Sequence, residues 1–164
     1  MDERDHPSPH RRRRPPGRLT RIRDRFEWTR APGVGPPFSL LGDLRGVHVL
    51  ELGCGGGHNL AHLAAHHGAR ATGIDHDPTK IERARASYGT IPDLTFIQAD
   101  AAPYLAARPS ASLDLCLSIF GAYSFTDPVP LLVETARVLR PGGLLAATFR
   151  ATDTTDLVLV LQRR

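Results

Sequence analysis

Lysine is almost absent from this chain: Lys80 stands alone beside twenty arginines. Cysteine is nearly as scarce, with Cys54 inside a glycine cluster and Cys116 inside an apolar run, and neither has the paired spacing of a zinc site or a disulfide framework. Two reduced thiols are therefore expected. No stretch approaches the roughly 18 consecutive apolar residues of a membrane span, and the N-terminal MDERDHPSPHRRRRPP lacks the apolar segment of a secretory signal. These absences point to a cytoplasmic protein without a membrane anchor.

What is present suits one globular domain: 164 residues, 41% hydrophobic and 23% charged. The charge is uneven, because residues 1–30 carry ten arginines against five acids while residues 31–164 carry eleven basic residues against twelve acids. A basic arm of this kind can contact phosphates. However, Arg, Ala, Gly and Pro are what GC-rich codons supply, and no aromatic interleaving accompanies the arginines, so nucleic acid is not the expected partner. Residues 1–17 are too polar and Pro-rich to offset the entropy of ordering and read as a disordered arm. Residues 18–45 read as an N-terminal helix and linker, with Leu19, Ile22, Phe26 and Trp28 near one helical face and a Pro/Gly stretch leading to a short apolar helical turn.

Residues 46–164 alternate between strand-length apolar runs and helix-period segments. The runs are VHVLEL (47–52), RATGID (70–75), LTFIQ (94–98), LDLCLSI (113–119) and LLAATF (144–149). Most lack the strict polar alternation of a sheet with one wet face. The segments between them begin at Asp or Asn and mostly end at Gly or Pro, as helix caps require. Strands and helices in this order predict an α/β fold: a Rossmann-like, doubly wound, mainly parallel sheet with helices on both faces.

The first strand runs into VLELGCGGGHN, with four glycines in five positions. At the carboxyl edge of such a sheet, glycines let the backbone turn and approach a ligand with no Cβ in the way. A dinucleotide fingerprint would need glycine at position 58, where the chain has His58, and a pyrophosphate has no use for the nearby Glu51 carboxylate. A ligand with an ammonium group does.

VLELGCGGG followed by GIDHD, QADA and LRPGG resembles the class I S-adenosylmethionine-dependent methyltransferases of the small-molecule type, over about residues 40–149. The resemblance implies S-adenosyl-L-methionine as cofactor and a small-molecule methyl acceptor as partner. It has Gly53, Cys54 and Gly55 wrap the cofactor's amino-acid portion, with Glu51 near the ammonium group. It gives the ribose hydroxyls to Asp75, the adenine face to His76, the adenine amino group to Asp100 and a ring nitrogen to the backbone of Ala101. Ser118 falls beside the methionine portion.

Other readings of these residues stay open. Asp100 also suits a helix cap, and Cys54 suits a small turn residue better than a nucleophile. His58, His62 and His66 recur every four residues, but without an H-E-x-x-H pattern or a supporting acid a solvated face accounts for His62 and His66, and no metal is expected. No catalytic base is identified. Tyr123 is the best-placed polar candidate to face substrate and equally suits packing, while Phe26, Trp28, Phe120 and Phe125 suit an apolar lid.

Members of this family continue past the fifth strand with a helix and two antiparallel strands, whereas only Arg150–Arg164 follow here. ATDTTDLVLVLQRR has room for one further strand, Asp156–Gln162, antiparallel beside the fifth. The expectation is an incomplete C-terminal sheet with an exposed edge, which offers a route to a homodimer. It also keeps two alternatives alongside methyl transfer: a non-catalytic or truncated cofactor-binding protein, and an NAD-dependent oxidoreductase.

Overall fold

Apolar runs too short for buried helices fold here as strands. The computed structural model describes residues 20–164, so the expected disordered arm of residues 1–17 lies outside it. The elements run β1 (His48–Leu52), α1 (His58–His67), β2 (Arg70–Asp75), α2 (Pro78–Tyr88), β3 (Leu94–Gln98), α3 (Ala101–Ala106), β4 (Leu113–Ile119), α4 (Pro128–Val138), β5 (Leu139–Arg150) and β6 (Asp156–Gln162). The sheet order is β3-β2-β1-β4-β5-β6. The first five strands are parallel, and β6 returns antiparallel from Arg150↔Asp156 to Leu144↔Gln162. Among the described residues no helix is long and apolar enough to cross a membrane.

Strand alternation divides the core into two layers. On one face Val49, Leu115 and Leu117 pack with Leu60 and Leu63 of α1 and Ile81 and Tyr88 of α2. On the other, Leu50, Leu52 and Cys116 pack with Leu105 of α3 and Leu131 and Val138 of α4. The two-residue period puts Glu51 on the same face as Val49. Asp77 and Asp127 cap α2 and α4 by accepting from Thr79 and Val129 N–H groups. β5 begins earlier than the apolar run suggests, because Leu139 already pairs with Leu113 before the register shifts and Leu144 pairs with Leu115.

The N-terminal expectation needs correction. Residues 20–37 carry no helix, and the short turn Phe38–Leu41 is a 3-10 helix. The chain crosses α1 as an extended strap. Asn59 acts on it like a neighbouring strand: its Oδ1 accepts from Glu27 N–H at 3.1 Å and its Nδ2 donates to Glu27 O at 2.9 Å. Phe26 and Trp28, two residues apart, then face the core together, with ring centroids 4.8 Å apart in an edge arrangement. Tertiary pairing and burial outweigh the helical spacing. At its far end the strap is tied to β6, where Arg30 donates to both oxygens of Asp156 at 2.8 and 2.9 Å.

Phe26 and Trp28 are thus core residues and not parts of a lid. Trp28→Ala is expected to destabilise the protein by about 3 to 5 kcal/mol, the usual cost of truncating a buried aromatic. Urea unfolding followed by circular dichroism checks this, and a lid residue would leave the midpoint unchanged.

Candidate functional site

The turn after β1 is fixed by the end of β2. Gly53 and Cys54 N–H groups both donate to Ile74 O at 2.8 Å, and Gly55 N–H donates to Asp75 Oδ2 at 3.0 Å. Asp75 Oδ1 accepts from Asp77 N–H at 3.0 Å, so one buried carboxylate holds two loops. Gly53 has φ +78°, and a Cβ there would lie 2.7 Å from Ala122 N and Gly121 Cα; the loops leaving β1 and β4 touch backbone to backbone. Gly55 has φ +54°, and a Cβ there would meet nothing within 4 Å. Its open side faces a cavity.

That cavity, about 870 Å³, lies at the carboxyl edge of the strands. Gly53, Cys54, Gly55, Asp75, His76 and Asp100 line it together, and Ala101 joins them. His76 is exposed, with Nδ1 3.6 Å from Asp75 Oδ1, and Lys80 Nζ stands 3.7 Å from the same oxygen. Asp100 occupies the cap position of α3, yet its side chain makes no cap hydrogen bond. Its exposed carboxylate is left to the cavity.

A second cavity of about 340 Å³ opens between the strap and the glycine turn, and it shares Cys54, Ile119 and Phe120 with the first. Glu51 lines this one and not the larger one. It is only 3% exposed, and its Oε2 has no hydrogen-bond partner among the described residues. Burial, with the Asp75 charge as a smaller cause, pushes its carboxyl up to about 8. Such an orphaned buried oxygen is costly and suits a cationic donor that is not part of the chain.

A family model described as a methyltransferase domain matches residues 50–147. The chain belongs to the class I methyltransferases. The chain is 36% identical over 107 residues to an O-methyltransferase from Aspergillus sclerotiorum, covering 62% of this chain and 39% of that protein. Among solved structures it is similar to an arsenic(III) S-adenosylmethionine methyltransferase from Chlamydomonas reinhardtii (30% identity, TM-score 0.55, 65% of this chain and 40% of that one). Haemonchus contortus phosphoethanolamine N-methyltransferase 2, in complex with S-adenosyl-L-methionine, shares the fold at 24% identity (TM-score 0.59, 68% and 26% covered). The chain spans about two fifths of the length of the curated relatives it matches.

Within the methyltransferase fold several expected positions move. Ser118 is fully buried and lines neither cavity: its hydroxyl donates to Leu52 O at 3.2 Å and accepts from Tyr123 N–H at 3.4 Å. The residues after it, Ile119 and Phe120, face the site, and Phe120 does so from a left-handed backbone with φ +49°. Tyr123 is core, bonded to Thr135 Oγ1 at 2.7 Å. Burial raises the Cys54 thiol far above its usual range, which leaves it a turn residue and no nucleophile.

His62 is buried, not solvated: Nδ1 lies 2.9 Å from Arg23 O and Nε2 3.2 Å from His67 Nε2. His66 is exposed. Among the described residues no group of three His, Cys, Asp or Glu side chains is arranged to hold a metal. Sequence reasoning missed Lys80, Arg23 and Asn59. Lys80 had a signal in its place one turn after Asp75, whereas the strap residues had none, because only tertiary packing brings residues 23–30 over residues 51–59.

The Glu51 carboxyl rises from 4.5 to about 8, so between these values the native state holds a proton that the unfolded chain has released. Stability from this group is therefore present at low pH and is lost as pH climbs through that window. The Glu51→Gln variant, neutral throughout, is expected to match the parent near pH ~5 and to exceed it progressively toward pH ~8, by about 1.4 kcal/mol for each pH step of one. Thermal unfolding across this range checks it, and parallel curves contradict it.

Proposed function

We propose that this chain binds S-adenosyl-L-methionine and transfers its methyl group to a small-molecule acceptor in the cytoplasm, where both buried cysteines stay reduced. The observation that carries the reading is Glu51: a buried, unpartnered carboxylate beside a glycine turn whose next strand ends deliver Asp75 and Asp100 to the adjoining cavity. An ammonium group answers the first, and ribose hydroxyls and an amino group suit the other two. A pyrophosphate would meet carboxylates at all three places, which argues against an NAD-dependent oxidoreductase.

When bound, the cofactor supplies an electrophilic methyl on a sulfonium. The work left to the chain is placement. Gly53–Gly55 give backbone clearance, Asp75 and Asp100 hold the adenosine end, and Ile119 and Phe120 form an apolar wall where the two cavities meet, limiting water beside the reacting atoms. Ser118 and Tyr123 are turned inward and bonded, so neither serves as base. That same observation favours a second reading, cofactor binding without catalysis, which a turnover assay with candidate acceptors separates from the first.

Titration calorimetry with S-adenosylhomocysteine and with NAD tests the proposal: binding of the first and not the second is expected, and binding of NAD alone contradicts it. Asp100→Ala is the cleanest variant, since its carboxylate has no role in the fold and Asp75 does. It is expected to cost about 1.5 to 3 kcal/mol of S-adenosylhomocysteine affinity, the worth of a hydrogen bond to a charged group, with an unchanged melting temperature. Equal affinity in the variant removes Asp100 from the site.

A further inference from the structure

The exposed edge expected at the C-terminal end of the sheet is β6, and little covers it. Its register against β5 runs unbroken through seven pairs, Arg150↔Asp156 to Leu144↔Gln162. Arg163 N–H donates to Gly143 O, and Thr155 O accepts from Ala151 N–H, so odd-numbered residues of this stretch turn their backbone toward β5. Even-numbered residues turn theirs outward. Among the described residues the N–H and C=O groups of Val158 and Val160 have no backbone partner on that side.

The side chains are no better covered. Val158 and Val160 pack on the strap side, against the layer that holds Phe26 and Trp28. Leu157, Leu159 and Leu161 lie on the opposite face, level with Phe149, Ala147 and Leu145, yet among the described residues none of the three joins the apolar layer there. Leu157 is 57% exposed and Leu161 45%. Edge strands are ordinarily blunted by a charge, a proline or a bulge, and LVLVL (157–161) has none of these. Unpaired backbone and bare apolar side chains together mark a surface that another strand completes.

We infer that this strand is β6 of a second copy of the chain, paired antiparallel about a two-fold axis at Leu159. The outward residues fix the register. Val158 then stands opposite the partner's Val160, and Asp156 opposite the partner's Gln162, as hydrogen-bonded pairs, while Leu159 meets the partner's Leu159 and Leu157 the partner's Leu161. Valine meets valine on one face and leucine meets leucine on the other. A slip by two residues sets Asp156 or Arg163 against an apolar side chain. Charge sets the direction: Asp156 is spent on Arg30, and Arg163 donates to the Arg137 and Leu139 carbonyls, which leaves exposed Asp153 before the strand and exposed Arg164 after it. Antiparallel pairing brings each Arg164 toward the partner's Asp153, whereas parallel pairing would set like charges side by side. No residue of β6 lines either cavity, so the pairing leaves the candidate site open and does not depend on the cofactor reading.

Sedimentation velocity over a concentration series tests this, with a dimer expected for the parent. Leu159→Lys, which places two ammonium groups on the axis, is expected to be monomeric with the parent's circular dichroism. Cysteine cross-linking reads the register, because opposite residues of a non-hydrogen-bonded pair lie about 4.5 Å apart at Cα, within disulfide reach. Leu159→Cys is therefore expected to give a covalent dimer on oxidation. Leu161→Cys is not, since its counterpart sits four residues along the strand, about 13 Å away. Cys54 and Cys116 are buried and do not compete. A parent that stays monomeric throughout, a dimer that survives Leu159→Lys, or cross-linking of Leu161→Cys as readily as Leu159→Cys would each overturn the inference.

Discussion

Three backbone N–H groups of the turn after β1 are held by the end of β2, two on Ile74 O and one on the Asp75 carboxylate. Everything proposed for the site depends on that attachment. It fixes where the glycines lie, presses Gly53 against the loop that follows β4, and leaves Gly55 facing open space. It also places the turn between two cavities that share Cys54, Ile119 and Phe120, one with Asp75 and Asp100, the other with Glu51. A ligand that fills both must pass over the glycines.

The division of charge between the cavities gives the site its chemistry. Asp75 is satisfied by backbone donors and by Lys80 nearby, and it serves the fold even without a ligand. Glu51 has no such compensation. Its strand position forces it to the face under α1 and the strap, where it is almost wholly buried and one oxygen finds no donor among the described residues. Native proteins rarely leave a buried carboxylate in this condition without a functional reason. The cost falls on stability as pH rises from 4.5 through about 8, and a cationic ligand would recover it.

Much of the sheet was legible in the sequence. β2, β3, β4 and β6 occupy the ranges their apolar runs indicate. Glu51, Asp75 and Asp100 were legible too, since each stands at or just past a strand's carboxyl end. What failed was whatever depended on tertiary partners. Ile22, Phe26 and Trp28 have helical spacing, but Asn59 offers the strap a substitute for strand pairing and the helix does not form. Ser118 was misplaced because Gly121 closes over it: a Cβ on that glycine would lie 1.9 Å from Leu52 O, so the loop packs against the end of β1 and seals the hydroxyl inside.

If Glu51 waits for an ammonium group, proton release on binding is the most direct measure of it. At neutral pH the free protein holds Glu51 mostly protonated, its carboxyl having been pushed up to about 8, and docking of an ammonium beside it should drive the proton off. Calorimetric titration with S-adenosylhomocysteine at pH ~7 in buffers of different ionisation enthalpy counts the protons exchanged, by the linkage between ligand and proton binding. Close to one proton released per ligand bound is the expected result, absent in Glu51→Gln. Binding with no proton exchanged would contradict this role for Glu51.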